Sequence, residues 1–451
     1  MISKSVHFVR MAVLAICVLL SNANLNMAQD NTSSLGYIVQ GSANNLALQS
    51  VRVDAQNELS VAATQSTEMT SNSGETWNYL TLSPDANWLA GVVEGMNRSF
   101  TLDIRNTLNN QSQRISLPSL SNLDTDSSYW LRWSPDSRKV VIEPPILTLE
   151  TQIYDLTTQQ LHILPTGYFF PLRWLPDSNR FLVDGPSVGG DTIYLGEIRD
   201  TTIHLQPLAI LNREALGLNT SRGFSFRAPI YNVAQDRFYV TLAEATDIGP
   251  AVERLYSFDM EGVLRLEADI GANVDANSPQ PLRTILYYSI ATAQIYLLVE
   301  NSTPSRDTMS QTFGLFRLGN EQNLVSLVTL IFPRTYEGIR YLLESEVSSD
   351  GRYLALGFAG QATLNRGNLI VIDLLNETTV LERNDLAQVC ELSWSGDSAN
   401  VLFSQQQEGG CTRYIDNQPM NQLVAQNVQT LTASVVYEDA LTPFFYLPPG
   451  G

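Results

Sequence analysis

The chain has 451 residues, of which 44% are hydrophobic and 16% charged, and its formal net charge is −19. Such an acidic chain repels phosphate backbones and anionic lipid, so general electrostatic binding to nucleic acid or to membrane surfaces is excluded. The hydrophobic content is sufficient for a folded core, and the length allows either two or three domains or one large repeat fold.

The N-terminal residues 1–28 have the features of a secretory signal peptide. Lys4 and Arg10 give a basic start, residues 11–20 form an apolar run, and small residues allow cleavage after Ala23 or Ala28. The apolar run is too short for a bilayer, which needs about 20 residues. We therefore expect a secreted, periplasmic or cell-surface protein whose mature chain has no transmembrane segment, with a retained anchor as the alternative.

After a polar lead-in at residues 29–35, residues 36–451 contain a repeat. Each copy has an alternating apolar segment, a tight polar turn and a second apolar segment, followed by another strand-like pair, and copies recur at intervals of roughly 40 to 60 residues. The copies in chain order are residues 80–92, 129–142, 172–184, 229–242, 287–299, 345–358 and 392–404. The second and third are separated by the strand-like pair of residues 151–164.

Four-stranded units at this spacing predict an all-β fold, a β-propeller in which each sheet packs between two neighbours. Residues 36–41 and 46–63 resemble the last three strands of a unit, and residues 434–447 resemble the missing first strand and its turn. The two ends should therefore complete one blade together. Seven internal copies and this shared blade favour eight blades; seven is the alternative if one weak copy is an insertion.

The turn in the second copy, Trp133-Ser134-Pro135-Asp136, superficially suggests an active site. Proline fixes φ for the second position of a type I turn, and serine and aspartate can hydrogen-bond to nearby backbone N–H groups. Because the pattern recurs in other copies, we interpret it as a structural turn.

This repeated pattern of Trp-Ser-Pro-Asp before an apolar strand resembles the WD-like repeat of TolB-type β-propellers. The resemblance covers most of residues 36–451 and implies a propeller of the kind found in periplasmic scaffold proteins and in prolyl-oligopeptidase-type enzymes. TolB pairs its propeller with a separate α/β domain, which is not evident in this sequence. A Tol–Pal role is therefore not implied, and no family binding residues are carried over.

Arg132 and Arg173 occupy the same position in two successive copies, on the predicted innermost strand. Two guanidinium groups near the channel could bind a carboxylate or phosphate anion. The alternative is that each pairs with an acidic residue of the next blade.

Export would leave two cysteines, Cys390 and Cys411, which predict one disulfide, with two buried thiols as the alternative. His162 and His204 fall on predicted outer strands without ligand spacing, so we expect no transition-metal site. No cofactor is predicted. Calcium remains an alternative because acidic side chains are common, although no EF-hand loop is present.

Two motifs that suggest enzymes are interpreted as loops. Residues 185–189 match the G-x-S-x-G pattern of α/β-hydrolases, but they lie between two strands of one unit, without the helix that a nucleophile elbow needs. Residues 70–77 resemble the Asp-box of sialidase-like propellers, with Asn72 replacing the aspartate.

The sequence thus favours an exported, monomeric, non-enzymatic propeller that binds a protein, or a glycan or peptide, at the channel mouth or at its loops. An enzyme of lyase, lactonase or glycosidase type with its site at the channel mouth is the first alternative. A sensor or surface module is the second.

Overall fold

The structure is a computed structural model. It describes residues 34–42, 45–53, 59–70, 75–95, 99–118, 130–144, 150–165, 169–185, 191–200, 202–212, 214, 216, 224–226, 229–244, 252–270, 283–301, 310–320, 323–333, 341–359, 367–386, 388–406, 421–439 and 444–446.

Over these residues the strands form eight antiparallel sheets, numbered in chain order. Sheet 1 contains β1 (Ser34–Ser42), β2 (Asn45–Val53), β3 (Leu59–Thr70) and β33 (Phe444–Tyr446); sheet 2 contains β4 (Thr76–Leu82), β5 (Trp88–Glu94), β6 (Phe100–Asn106) and β7 (Ser112–Leu117); sheet 3 contains β8 (Trp130–Trp133), β9 (Lys139–Glu143), β10 (Gln152–Asp155) and β11 (Gln160–Ile163); sheet 4 contains β12 (Phe169–Trp174), β13 (Arg180–Gly185), β14 (Asp191–Arg199) and β15 (Thr202–Leu211).

The second half of the chain repeats this arrangement. Sheet 5 contains β16 (Phe224–Phe226), β17 (Ile230–Asn232), β18 (Arg237–Glu244), β19 (Val252–Asp259) and β20 (Leu264–Asp269); sheet 6 contains β21 (Arg283–Ser289), β22 (Gln294–Asn301), β23 (Ser310–Leu318) and β24 (Leu324–Pro333); sheet 7 contains β25 (Tyr341–Val347), β26 (Tyr353–Ala359), β27 (Gly367–Asp373) and β28 (Thr378–Leu386); sheet 8 contains β29 (Gln388–Trp394), β30 (Asn400–Gln406), β31 (Asn421–Asn427) and β32 (Ala433–Asp439).

In each of sheets 2 to 4 and 6 to 8 the four strands pair in chain order; in sheet 5 both β16 and β17 pair with β18. Fourth strands such as β7 and β28 expose many of their side chains, so they form the outer rim. First strands of neighbouring sheets lie against one another, as β4 does with β8 and β21 with β25, and they form the inner side. This radial arrangement is a β-propeller, as the sequence predicted.

The two ends of the chain share sheet 1. Tyr37 lies opposite Tyr446 and Val39 opposite Phe444, and β3 packs against β32 of sheet 8. The prediction that the ends complete one blade is confirmed. The predicted extent of its first strand was wrong, because residues 433–439 form β32, the fourth strand of sheet 8, and only β33 joins sheet 1.

Apolar side chains fill the spaces between neighbouring sheets. Between sheets 2 and 3, Leu102 and Val92 share a buried cluster with Trp133 and Val140, and equivalent clusters lie between the successive sheets from 3 to 8. Every residue of β9 and of β27 is buried. Strands of this kind need cover on both faces, and burying each large apolar side chain contributes about 1.5–3 kcal/mol.

The repeated turn between the first and second strands is built by its serine and aspartate. In sheet 3, the Ser134 hydroxyl donates to Asp136 at 2.6 Å and accepts from the backbone N–H of Lys139 at 2.9 Å. Ser137 then adopts a φ of 61°. The same serine–aspartate bond recurs at Ser83, Ser348 and Ser395. The interpretation of this motif as a structural turn is confirmed.

The residue after the turn aspartate also links neighbouring sheets. The backbone N–H of Asp85 donates to Ser137 Oγ of sheet 3 at 2.9 Å, and that of Asp136 donates to Ser178 Oγ of sheet 4 at 2.9 Å. Sheets 7 and 8 are joined in the same way by Asp350 and Ser398 at 3.2 Å. We call this contact the turn link.

Candidate functional site

Arg132 and Arg173 lie on the first strands β8 and β12 of sheets 3 and 4, where the repeat placed them. Within their strands, each directly precedes a tryptophan, so the two positions are equivalent. Thr81 and Ser393 occupy this position in sheets 2 and 8, and Glu346 occupies it in sheet 7. The charge at this level of the inner side therefore varies from sheet to sheet.

Glu143 contacts Arg132 and the strand that carries Arg173. Its Oε2 lies 3.3 Å from Arg132 Nε, and its Oε1 accepts the backbone N–H of Leu172 in sheet 4 at 3.2 Å. Glu143 belongs to β9 of sheet 3, so Arg132 has an acidic partner within its own sheet, while the alternative of a partner in the next blade stays untested. The reason is geometric: Glu143 and Arg132 lie on the same face of adjacent strands, since Trp130 opposes Glu143.

Burial dominates the titration of Glu143, whose side chain is 1% exposed. Burial raises its pKa to about 7, against the opposing effects of Arg132, the Leu172 N–H and Arg173. Near neutral pH this carboxyl is therefore partly protonated, and it compensates the two arginines only in part.

Arg173 differs from Arg132 in making no ion pair with an acidic side chain of the described residues, although the charge of Glu143 acts on it. Part of its side chain is accessible to solvent, while many protein atoms lie around it. Desolvation by these atoms is the main cause that lowers the pKa of Arg173. The charge of Arg132 lowers this pKa further, and the charge of Glu143 raises it. Among the described residues it makes no ion pair within 4.0 Å. Within the described residues, Arg173 is thus a cation without an ion pair, and Glu143 compensates its charge only in part.

A pocket of about 370 Å³ lies beside Arg173, between sheets 4 and 5. Its walls include Trp174, Leu182, Ile230 and Phe238, and Arg173 is the one charged residue among those that line it. The turn residues Pro135, Pro176 and Val233 also line this pocket, so it lies on the side of the first-to-second-strand turns. An apolar pocket with one cation suits an apolar group that carries a carboxylate.

Glu143 and the pocket were not predicted from the sequence. Glu143 ends the strand Lys139–Glu143, in which every residue is buried, and a charged residue after the apolar residues 140–142 was an available signal. A second buried carboxyl, Glu346, has its pKa raised to about 7 by burial, with a Ser393 hydrogen bond lowering it and Glu344 raising it. Thus two sheets carry buried carboxyls near the inner side.

The other predicted site residues lie apart from this cluster. Cys390 belongs to β29, while Cys411 lies outside the described residues, so the disulfide stays a prediction. His162 and His204 are on the outer strands β11 and β15, as predicted, and His204 contacts the Thr202 hydroxyl at 3.1 Å.

Most of the hydrolase-like motif at residues 185–189 and half of the Asp-box-like motif at residues 70–77 lie outside the described residues, which exclude 186–190 and 71–74. Over the described ranges, no group of three or more His, Cys, Asp and Glu side chains is arranged to hold a metal ion. Calcium binding stays an untested alternative to the prediction of no cofactor. In the same part of the chain, no helix is long and apolar enough to cross a membrane.

Comparisons with known proteins support the fold. No protein-family model matches the chain, and no curated protein matches it. Among solved structures, the dihydro-heme d1 dehydrogenase NirN in complex with DHE is 11% identical, with a TM-score of 0.54 over 94% of this chain and 77% of that chain. A prolyl endopeptidase is 13% identical, with a TM-score of 0.51 over 83% of this chain and 50% of that chain.

The β-propeller domain of the Trilobed protease from Pyrococcus furiosus is 13% identical, with a TM-score of 0.45 over 81% of this chain and 98% of that chain. Likenesses at such low identity concern the fold alone. The resemblance to TolB-type propellers therefore stays a prediction at the level of the family, while the propeller fold itself is established.

Proposed function

We propose that this protein is an exported, non-catalytic β-propeller that binds a protein or peptide through an apolar group bearing a carboxylate. The pocket between sheets 4 and 5 is the binding site in this proposal. The observation that carries it is Arg173, which lines an apolar pocket and whose charge Glu143 compensates only in part.

The chemistry of the pocket supports this ligand class. A guanidinium can hold both oxygens of a carboxylate, and desolvation strengthens such charge-assisted hydrogen bonds. Trp174 and Phe238 offer aromatic surface beside it. A C-terminal carboxylate following an apolar residue presents both features in one short segment.

The remaining parts of the proposal rest on the sequence. The signal-like residues 1–28 support export, and the formal net charge of −19 disfavours nucleic acid as a partner. We propose a monomer, because a closed ring of sheets leaves few unpaired edges. Loops of the propeller are a further binding surface in this proposal.

The test is a fluorescence-polarisation measurement with labelled hexapeptides that end in Phe, Leu or Trp, as free acids and as amides. We expect the free acids to bind at least ten-fold more tightly than the amides. Arg173→Ala should remove most of this difference, because one ion pair of this kind is worth about 1.5–3 kcal/mol. Arg173→Lys should restore it only in part, since lysine lacks the planar fork.

Arg199→Ala is the matched control, because Arg199 lies in the same sheet but pairs with Glu197 at 2.7 Å on the surface. It should leave the affinity unchanged. Equal binding of acids and amides, no binding of either, or full affinity in Arg173→Ala contradicts the proposal.

A propeller enzyme is the second candidate, and the pKa of Glu143 near 7 is the observation that favours it. Against it, Glu143 is 1% exposed and both of its oxygens already face protein groups. Turnover of glycan or small-ester substrates that is abolished by Glu143→Gln, in a variant with unchanged circular dichroism, would favour the enzyme. Unaltered turnover in that variant excludes Glu143 as its acid or base.

A further inference from the structure

Sheets 5 and 6 differ from the others in the turn between the first and second strands. Their residues at positive φ are Asp236 and Ala293, with φ of 52° and 54°, and each directly precedes the second strand, whereas Ser137, Ser178 and Ser398 lie two residues before it in sheets 3, 4 and 8. Neither turn has a serine two residues before its second strand; sheets 2 and 7, with Ala86 and Gly351 there, lack it as well. Two pockets in the described part of the chain lie at the boundaries of sheet 5, one with sheet 4 and one with sheet 6.

The pocket between sheets 5 and 6 has a volume of about 460 Å³ and is predominantly polar. Asn232, Gln235, Arg237, Arg265 and Glu267 line it from sheet 5, and Gln294 lines it from sheet 6. This volume lies within the range of about 300–1,000 Å³ that is typical of small-molecule sites.

Asn232 gives the pocket a buried donor. The residue is 1% exposed, and its Oδ1 accepts the backbone N–H of Gln235 at 3.2 Å. Its Nδ2 donates to no protein atom within the described residues. Buried polar groups are normally paired, so a donor of this kind at a pocket wall indicates a ligand acceptor.

The two arginines of the pocket add further donors, and its carboxylate, Glu267, is already engaged. Glu267 Oε1 already accepts Ser257 Oγ at 2.5 Å and lies 3.5 Å from Arg265 Nε. Arg237 Nε donates to Ser257 Oγ at 3.1 Å, and its Nη1 lies 3.7 Å from Asp259. The carboxylates are thus already engaged, while the guanidinium groups retain further N–H donors.

Gln235 contributes another donor. Its Oε1 accepts a hydrogen bond from the Tyr239 hydroxyl, so the Nε2 group of the same amide can donate hydrogen bonds to another acceptor. Asn232, Gln235 and the two arginines therefore line a single pocket with more donors than acceptors. The ligand that complements such a lining is small, rich in oxygen acceptors and negatively charged.

We propose that the pocket between sheets 5 and 6 binds a small hydroxylated carboxylate, of the size of one sugar acid, with its carboxylate at Arg265 and Arg237 and an oxygen at Asn232 Nδ2. This site is separate from the pocket beside Arg173, and it does not depend on the function proposed above.

The probe is D-glucuronate, with neutral D-glucose as its matched comparison, in isothermal titration calorimetry of the full secreted chain. We expect glucuronate to bind and glucose to bind at least ten-fold more weakly. Arg265→Ala should weaken glucuronate binding at least ten-fold. Arg199→Ala is the control and should leave the affinity for glucuronate unchanged. Arg199 and Arg265 are similarly exposed, at 60% and 62%, and each pairs with a glutamate of its own sheet.

Asn232→Asp tests the buried donor directly, since Asp keeps the oxygen that accepts from Gln235 but replaces the donor by an acceptor. It should weaken glucuronate binding at least ten-fold; Asn232→Ser, a smaller side chain that keeps a donor, covers the case in which the aspartate variant unfolds. Arg173→Ala should bind glucuronate normally, which separates this result from the first proposal. No glucuronate binding at millimolar concentration, equal binding of glucose, or full affinity in Arg265→Ala overturns the proposal.

Discussion

At the scale of single residues, Glu143 is where burial and charge oppose each other most clearly. Its folded-state pKa is raised from 4.5 to about 7, so the folded protein binds this proton more tightly than the unfolded chain does. The folded state therefore loses stability as the pH rises from about 4.5, and the loss is complete above about 7. At 1.36 kcal/mol per pKa unit, the full effect is about 3 kcal/mol.

Glu143→Gln should remove this pH dependence while keeping an oxygen for the Leu172 N–H. We expect the free energy of unfolding of the variant, minus that of the wild type, to rise by about 3 kcal/mol between pH 4.5 and pH 8. Urea unfolding at several pH values measures it. Glu197→Gln is the control. Because the Arg199 hydrogen bond lowers the pKa of Glu197, the stability difference of this variant should change with pH in the opposite direction. If the difference in unfolding free energy between Glu143→Gln and the wild type does not change with pH, the raised pKa of Glu143 is contradicted.

The sequence identified Arg132 and Arg173 because equivalent positions in a repeat can be compared directly. It did not identify Glu143, whose contact with Arg132 depends on strand register, or Asn232, whose burial depends on the neighbouring sheet. Residues that act across strands or sheets leave no local pattern. The positions of the site residues along their strands were thus predictable, and their partners were not.

At the scale of structural elements, the turns decide how closely neighbouring sheets approach. Gly351 has a φ of 75°, and a Cβ built on it would lie 2.6 Å from the backbone nitrogen of Ile290 in sheet 6. Ala86 and Ser137 adopt similar φ values of 59° and 61° in their turns, so the φ alone is tolerated. The close approach of sheet 6 is what requires glycine at position 351.

Gly351→Ala should therefore destabilise the protein by about 1–3 kcal/mol, because backbone atoms of two sheets must move apart. Gly396→Ala is the matched control in the equivalent turn of sheet 8, where a Cβ would meet no atom within 4 Å. It should change stability by less than about 0.5 kcal/mol. Thermal unfolding followed by circular dichroism compares the two, and equal effects would show that the contact with Ile290 is unimportant.

The elements themselves were largely predictable, since alternation and turn chemistry repeat along the chain. Ser134, Pro135 and Asp136 form a turn for reasons that are local in sequence. The turns of sheets 5 and 6 depart from this pattern, because their residues at positive φ directly precede the second strand. Loss of the turn link becomes visible only when two turns are placed side by side.

At the scale of the whole molecule, the arrangement depends on closure of the ring. Sheets 3 to 7 each bury apolar side chains against a neighbour on either side, so every one of them depends on the sheets beside it. Sequence patterns predicted that the two ends close the ring. They did not predict that β33 is short, because residues 433–439 pair within sheet 8 as β32. Competition between two sheets for one segment cannot be decided from local propensity.

Formation of a disulfide between cysteines at positions 39 and 444 tests ring closure most directly. Val39 and Phe444 are opposite each other in β1 and β33, and opposite residues of antiparallel strands lie about 4.5–5.5 Å apart between Cα atoms, within reach of a disulfide. Non-reducing peptide mapping of the Val39→Cys, Phe444→Cys chain should recover these two positions joined, whereas Val39→Cys with Tyr446→Cys should not cross-link. Failure of the first pair to join, or equal cross-linking of both pairs, contradicts a ring closed by the two ends of the chain.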